Sequence, residues 1–294
     1  MNLRKAPGAP PTPAQVVVVS GAGSGIGFAT SRHLAEIGYT VIAGVRSDEQ
    51  ATRLRDGASD RLQPFPFDVT SDPDVAAVVS HVAALRSRGC TLRGIFSNAG
   101  IEGRSPDLSA EGCPISTLTQ VMDVNYFGAV RFIQGFLPMA REDRSTIVVN
   151  SALMARIVIP FNGGYAPSKA ALESWAIALR REIAPHGVRV ALIELGGIAT
   201  SLTTQVAETP APNPAYPQQA AVMAEFATMA TKGADNPKMQ PERAAELVAS
   251  ALAARNPRIR YLGGGGAHLL ATVAQLPQRA QDRLVAAMLA RGGR

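Results

Sequence analysis

The sequence predicts an α/β protein: one doubly wound parallel sheet of about seven strands with helices on both faces. Three observations carry this. Short apolar, β-branched runs alternate with longer helix-periodic stretches, and such alternation implies right-handed βαβ crossovers that keep the strands parallel. The first run, Val16-Val17-Val18-Val19, is continuously apolar, as a strand covered on both faces should be. A glycine-rich turn follows this run and opens a helix, the junction that begins many sheets of this kind.

The elements follow in order. After the first strand, a helical pattern runs through Phe28, Leu34 and Ile37 and closes at Gly38. Tyr39–Val45 reads as the second strand and Phe65–Val69 as the third. A helix is expected from Asp72 to about Arg86, capped by Ser71 or Asp72. Gly94–Ser97 is the fourth strand, residues 117–140 are helical, and Thr146–Val149 is the fifth strand. Tyr165 to about Ala184 is the next helix and Val188–Leu195 the sixth strand. A late helix over about Pro241–Arg255 precedes a seventh strand, Ile259–Leu262. Residues 200–240 break the rhythm with Pro210, Pro212, Pro214 and Pro217, then a Met- and Ala-rich stretch; an insertion of that length suits a substrate loop or lid. The organisation is therefore a tail over residues 1–13, rich in proline, and one domain over residues 14–294.

Composition narrows the function classes. With 294 residues, 46% hydrophobic and 18% charged, the chain can bury a large core without disulfides or metals. Its two cysteines, Cys90 and Cys113, and four scattered histidines offer neither a disulfide framework nor metal-ligand spacing. Nothing near Cys113 in sequence activates it, so it reads as a plain loop cysteine. The net charge is +6, but the arginines form no run or stripe, which argues against nucleic acid as a partner. No stretch approaches the length of a membrane span, and a cytoplasmic protein is expected. The basic residues are lopsided, with 25 arginines and four lysines, and Lys169 is the only lysine between Lys5 and Lys232.

The turn itself reads Ser20-Gly21-Ala22-Gly23-Ser24-Gly25-Ile26-Gly27. Glycines allow backbone to approach a pyrophosphate, and the helix start offers N–H groups and partial positive charge. A strand before and a helix after make Gly21, Gly23, Ser24, Gly25, Ile26 and Gly27 candidate dinucleotide-binding residues. The second strand ends Ala43-Gly44-Val45-Arg46. No acid stands there for a ribose hydroxyl, whereas Arg46 suits a 2′-phosphate, so NADP is favoured over NAD. A second glycine run, Gly263 to Gly266, lacks the tight fingerprint and reads as a turn.

The isolated lysine lies in Tyr165-Ala166-Pro167-Ser168-Lys169 at the start of a helix. Positions four apart share a helix face. An ammonium beside a phenol is expected to lower the phenol's pKa and ready Tyr165 for acid/base work on a hydroxyl or carbonyl.

Together these residues resemble the short-chain dehydrogenase/reductase family, over about residues 15–200 and more weakly beyond. Asp68-Val69, Asn98-Ala99-Gly100 and Val124-Asn125 stand in the family's order between the glycine turn and the Tyr165/Lys169 pair. The resemblance implies a Rossmann-like fold with Asp68 and Val69 at the adenine and Asn98, Ala99 and Gly100 steadying the sheet near the cofactor. It implies that Tyr165 and Lys169 do the chemistry, with Lys169 also on the nicotinamide ribose. Asn125 would hold a water in a proton relay, and Ile198 and Thr200 would sit beside the carboxamide. The segment Pro257–Leu262, with Leu276-Pro277, looks like the hydroxysteroid/retinol dehydrogenase branch. That implies a bulky apolar alcohol or carbonyl substrate and a homo-oligomer, dimer or tetramer.

Three departures stand out. Ser20 replaces the usual threonine, and Gly196-Gly197 the usual Pro-Gly. The family's catalytic serine lies about thirteen residues before the tyrosine, which here is Ala152, with Ser151 beside it. Either Ser151 serves or the serine's role is missing. The leading expectation is an NADP(H)-dependent oxidoreductase that interconverts an alcohol and a ketone or aldehyde. The alternative is a non-catalytic NADP(H)-binding module of the same fold.

Overall fold

The computed structural model describes residues 14–105, 107–196, 215–216 and 240–292. The tail over residues 1–13 and nearly all of the 200–240 insertion lie outside the described residues. The elements run β1 (Gln15–Val19), α1 (Gly25–Glu36), β2 (Thr40–Val45), α2 (Asp48–Arg55), β3 (Leu62–Pro66), α3 (Asp72–Ser87) and β4 (Thr91–Ser97). They continue with α4 (Ile115–Met122), a π-helical turn (Asp123–Gly128), α5 (Ala129–Asp143), β5 (Thr146–Ala152), α6 (Tyr165–Ile183) and β6 (Arg189–Leu195). Beyond the insertion come α7 (Pro241–Ala253), β7 (Arg260–Gly263), α8 (Ala267–Val273) and α9 (Gln278–Gly292).

The seven strands form one parallel sheet in the order β3-β2-β1-β4-β5-β6-β7. The valine run behaves as its composition demands. All four side chains are fully buried. Val16 and Val18 face a cluster with Phe132, Phe136 and Leu172, while Val17 and Val19 face the opposite cluster with Leu34, Val248 and Leu252. Strand alternation thus feeds two cores, one under α3, α5 and α6 and the other under α1 and α7. The order reverses between β1 and β4, and ligands of such sheets bind at the carboxyl ends of the strands there.

Three expectations need correction. The third strand is Leu62–Pro66, not Phe65–Val69. Pro64 and Pro66 cannot donate to a ladder, which an edge strand tolerates; Phe67, Asp68 and Val69 are left beyond the strand end. Residues 117–140 are not one helix, because the π-helical turn divides α4 from α5. The short α2, polar apart from the buried Leu54, had too little apolar periodicity to be recognised. The second glycine run forms a turn, as expected: Gly264 and Gly266 have positive φ, and a Cβ on Gly196 would lie 2.2 Å from the Gly265 carbonyl.

At the far edge, Arg260 of β7 pairs with two carboxylates, Glu173 of α6 at 2.6 Å and the fully buried Glu194 of β6. Arg156 reaches Glu194 at 3.2 Å. Removing one partner of a buried pair leaves charge without compensation. Because Arg156 still pairs with Glu194 and Arg260 is partly exposed, Arg260→Met is expected to lower stability by about 1–3 kcal/mol, read as a drop in the urea midpoint at unchanged slope.

Candidate active site

The site is built at the carboxyl ends of β1, β2, β4 and β5. Gly21 has φ of +67, and a Cβ there would lie 2.8 Å from the Ala99 Cα. A Cβ on Gly27 would lie 2.2 Å from the Gly21 carbonyl and 2.6 Å from Asn98 Nδ2. The glycines therefore let the turn close tightly on itself and on the β4 loop. Ser24 caps α1 without a side-chain bond, and the first turn holds no acid, so its N–H groups suit an anion.

A side-chain staple holds the turn against the sheet. Asn98 Nδ2 donates to the carbonyls of Ser20 and Gly21 at 3.1 and 3.0 Å, and its Oδ1 accepts from Asn150 at 3.0 Å. Ser20 Oγ accepts from the amides of Asn98 and Ala99. The serine thus offers the acceptor that a threonine would, and the substitution is mild at this position.

One cleft runs along these ends. Gly21, Gly23, Ser24, Gly25 and Ile26 line its floor, with Arg46, Asp68 and Val69 toward the β2 and β3 side. Ala99, Gly100, Tyr165 and Lys169 line it toward β4 and α6. Two more residues join the Arg46 end, which sequence reasoning missed because they sit on the unrecognised α2. Gln50 accepts from the Arg46 amide at 2.9 Å. Arg53 donates to the Gly23 carbonyl, with its guanidinium 5.8 Å from the Phe28 ring centre. A cradle that a Cβ at the glycines would fill, an uncapped helix start and an arginine at the far end fit an NAD(P)-type dinucleotide.

Asn125 lies in the π-helical turn, a distortion common at functional sites. It is fully buried. Its Oδ1 accepts from the Ile101 amide at 2.7 Å, and its Nδ2 donates to the Ile101 carbonyl at 2.8 Å and to Ser168 Oγ at 2.9 Å. Both amide hydrogens are committed, so Asn125 fixes the loop after β4 and the first turn of α6 relative to each other.

Tyr165 opens α6, and Lys169 follows on the same face. Lys169 Nζ is 5.6 Å from the Tyr165 ring centre and donates to the Asn150 carbonyl at 2.8 Å. The expected lowering of the phenol's pKa is not what this arrangement gives. Burial pushes Tyr165 well above the ordinary phenol value, and the negative charge of Glu102 adds to it. Burial also pushes Lys169 down to about 8. Desolvation opposes both charged forms and outweighs their attraction. Tyr165 is accordingly a neutral phenol at physiological pH, in the state to give a proton.

Ser151 stands apart from this pair. Its Oγ donates to Glu173 Oε2 at 2.9 Å, one helical turn beyond Lys169. Adjacent strand residues alternate in direction, so Ala152 shares the side of Asn150, which lines the cleft. Ile198 and Thr200 lie outside the described residues. Cys113 is a free, buried thiol whose pKa is pushed up first by burial, and no metal-binding group of side chains occurs among the described residues.

With the geometry in place, comparison with known proteins gives the class. The sequence model of the family described as short chain dehydrogenase matches residues 15–211, and the chain belongs to this family. Among similar proteins are rat estradiol 17-beta-dehydrogenase 2, 35% identical over 195 residues, and human retinol dehydrogenase 16, 32% identical over 270 residues. The matched segments cover 65% of this chain and half of the rat enzyme, and 86% of this chain and 82% of the human one. A short-chain dehydrogenase from Streptomyces avermitilis superposes with a TM-score of 0.76 at 26% identity, over 96% of this chain and 98% of that one. The structure of a short chain dehydrogenase from Burkholderia cenocepacia in complex with NADP has a TM-score of 0.70 at 24% identity, over 93% of this chain and 98% of that one, and shares the fold. No described helix is long and apolar enough to cross a membrane.

Proposed function

We propose that this protein is an NADP(H)-dependent oxidoreductase that interconverts an apolar alcohol and its ketone or aldehyde. One observation carries the reading: Tyr165 and Lys169 meet at one end of a glycine-walled cleft whose other end holds Arg46. When bound, NADP(H) supplies or receives the hydride. Tyr165 gives the proton to the substrate oxygen in reduction and takes it back in oxidation. Lys169 holds the end of β5 through the Asn150 carbonyl and would hold the nicotinamide ribose. Asp68 and Val69 would hold the adenine end, and the α1 start with Gly25 and Ile26 would receive the pyrophosphate. A steroid- or retinoid-like substrate is supported by the names of the similar proteins. Residues 200–240 are proposed as the substrate loop on their length and their proline- and methionine-rich composition.

Arg46 is exposed at the cleft, where its fork suits a 2′-phosphate. Arg46→Ala is expected to raise KM for NADPH about tenfold, the loss of one solvent-screened charged contact, and to leave NADH nearly unaffected. Equal effects on both cofactors would refute the assignment. The two free cysteines, Cys90 and Cys113, suit a reducing, cytoplasmic setting. The exposed Ile115 and Phe127 on the α4 side support a homo-oligomer. The alternative, a non-catalytic NADP(H)-binding module, draws on Ala152, which brings no hydroxyl to the site. The two readings part in a screen for NADPH consumption over steroid, retinoid and small-carbonyl panels, repeated with NADH. Turnover of at least one carbonyl supports the oxidoreductase, and cofactor binding without turnover supports the module.

A further inference from the structure

Helix α6 grips the end of β5 at two successive residues. Lys169 Nζ donates to the Asn150 carbonyl at 2.8 Å, and Ser151 Oγ donates to Glu173 Oε2 at 2.9 Å. Lys169 and Glu173 stand four apart on α6 and so share one face. Asn150 and Ser151 are neighbours on β5. The peptide unit between them is planar and carries both the Asn150 carbonyl and the Ser151 amide. Fixing Ser151 therefore aims the carbonyl to which Lys169 donates. The sheet does not do this from both sides. β5 pairs with β4 only as far as Val149, and beyond it only with β6.

Glu173 is itself anchored. Its Oε1 accepts from Arg260 Nη1 at 2.6 Å. Arg260 also meets Glu194, which Arg156 reaches at 3.2 Å. Ser151, Glu173 and Glu194 are all buried. Buried charge is costly unless it is paired, and here each carboxylate has an arginine. None of these five side chains lines the cleft. The network ends one residue away from the cleft, at the neighbour of Asn150.

Resting on the oxidoreductase reading, we infer that Ser151 is a positioning residue, latched to Glu173 so that the Asn150 carbonyl holds the Lys169 ammonium beside Tyr165. Ser151 acts through Lys169 and not on the substrate. Its hydroxyl gives its one hydrogen to a carboxylate, the stronger kind of hydrogen bond. The place where a hydroxyl would meet the substrate falls to Ala152, on the cleft side of β5.

The test is a double-variant cycle in the full chain, with NADPH and an accepted carbonyl substrate. Ser151→Ala should lower kcat about tenfold or more, the scale of a small misplacement of a reacting group. Glu173→Ala should lower it at least as much. In the Glu173→Ala background, Ser151→Ala should cost nothing further, because the two residues act as one unit. Ser151→Thr keeps the hydroxyl and suits a strand, so it should hold kcat near the wild type. A second readout needs no substrate. The chain has only four lysines, so NMR of isotopically labelled lysine resolves Lys169, identified by the resonance missing in Lys169→Arg. Burial holds the Lys169 ammonium down at about 8. Releasing the latch admits water, and in Ser151→Ala the titration midpoint should rise toward the ordinary lysine value of about 10.4. Ser151→Thr should keep the wild-type midpoint.

Wild-type kcat in Ser151→Ala overturns the proposal, as does an unmoved Lys169 midpoint in that variant. A Ser151→Ala loss that persists undiminished in the Glu173→Ala background also overturns it, and marks Ser151 as acting on the substrate directly. A wild type inert toward every carbonyl overturns the oxidoreductase reading, and the Lys169 titration then decides the latch by itself.

Discussion

Tyr165→Phe should lower kcat by about 10³-fold or more while NADPH still binds. Only the hydroxyl is removed. That hydroxyl makes no hydrogen bond with any described residue, so its loss orphans no partner and should cost the fold little. The ring remains over the Lys169 ammonium, and the cradle of Gly21, Gly27 and Asn98 is untouched. The variant therefore separates proton transfer from cofactor binding. Steady-state kinetics gives the first, and quenching or transfer of NADPH fluorescence gives the second. A Phe variant with wild-type turnover would sink the role assigned to Tyr165.

Lys169→Arg is the second large effect, expected at about a 10²-fold loss of turnover, the scale of an ångström-sized misplacement of a reacting group. Formal charge is conserved, so charge cannot be the cause. Lys169 is 3% exposed, and its Nζ lies 2.8 Å from the Asn150 carbonyl. Gly100 borders the same spot, where an added Cβ would lie 3.5 Å from Nζ. A planar guanidinium is larger than an ammonium, and its fork cannot take one compact position. It must displace either the end of β5 or the Tyr165 ring. Burial gives a further difference. It has pushed the Lys169 ammonium down to about 8, which an arginine cannot follow. A parallel thermal melt distinguishes lost positioning from lost fold, since only the latter moves the midpoint together with kcat.

Much of this was legible in the residues, for identifiable reasons. The valine run announced a strand buried on both sides, because only such a strand can be apolar at consecutive positions. The Tyr165/Lys169 pair was visible because lysine is so scarce in this chain, and the glycine turn because each glycine answers a steric demand that spacing alone betrays. The missed parts have physical causes as well. The third strand was placed too late because Phe65–Val69 is apolar and β-prone, while Pro64 and Pro66 read as breakers until the strand is known to be an edge. Helix α2 carries one buried side chain, so Gln50 at the cleft and Arg53 on the Gly23 carbonyl had no periodic signal. The pKa of Tyr165 could not be read from spacing, since depth of burial decides it and depth is a property of the whole fold.

Hydride transfer between a nicotinamide held in the cleft and a carbonyl carbon beside Tyr165 is the claim on which the rest depends. NADPH deuterated at the transferable position of the nicotinamide tests it directly, with the alcohol product analysed by mass spectrometry and NMR. The account predicts one deuterium on the carbinol carbon of an apolar alcohol with the wild type and none with Tyr165→Phe. Cofactor that binds but is never oxidised, or is oxidised without deuterium reaching the product carbon, would contradict it.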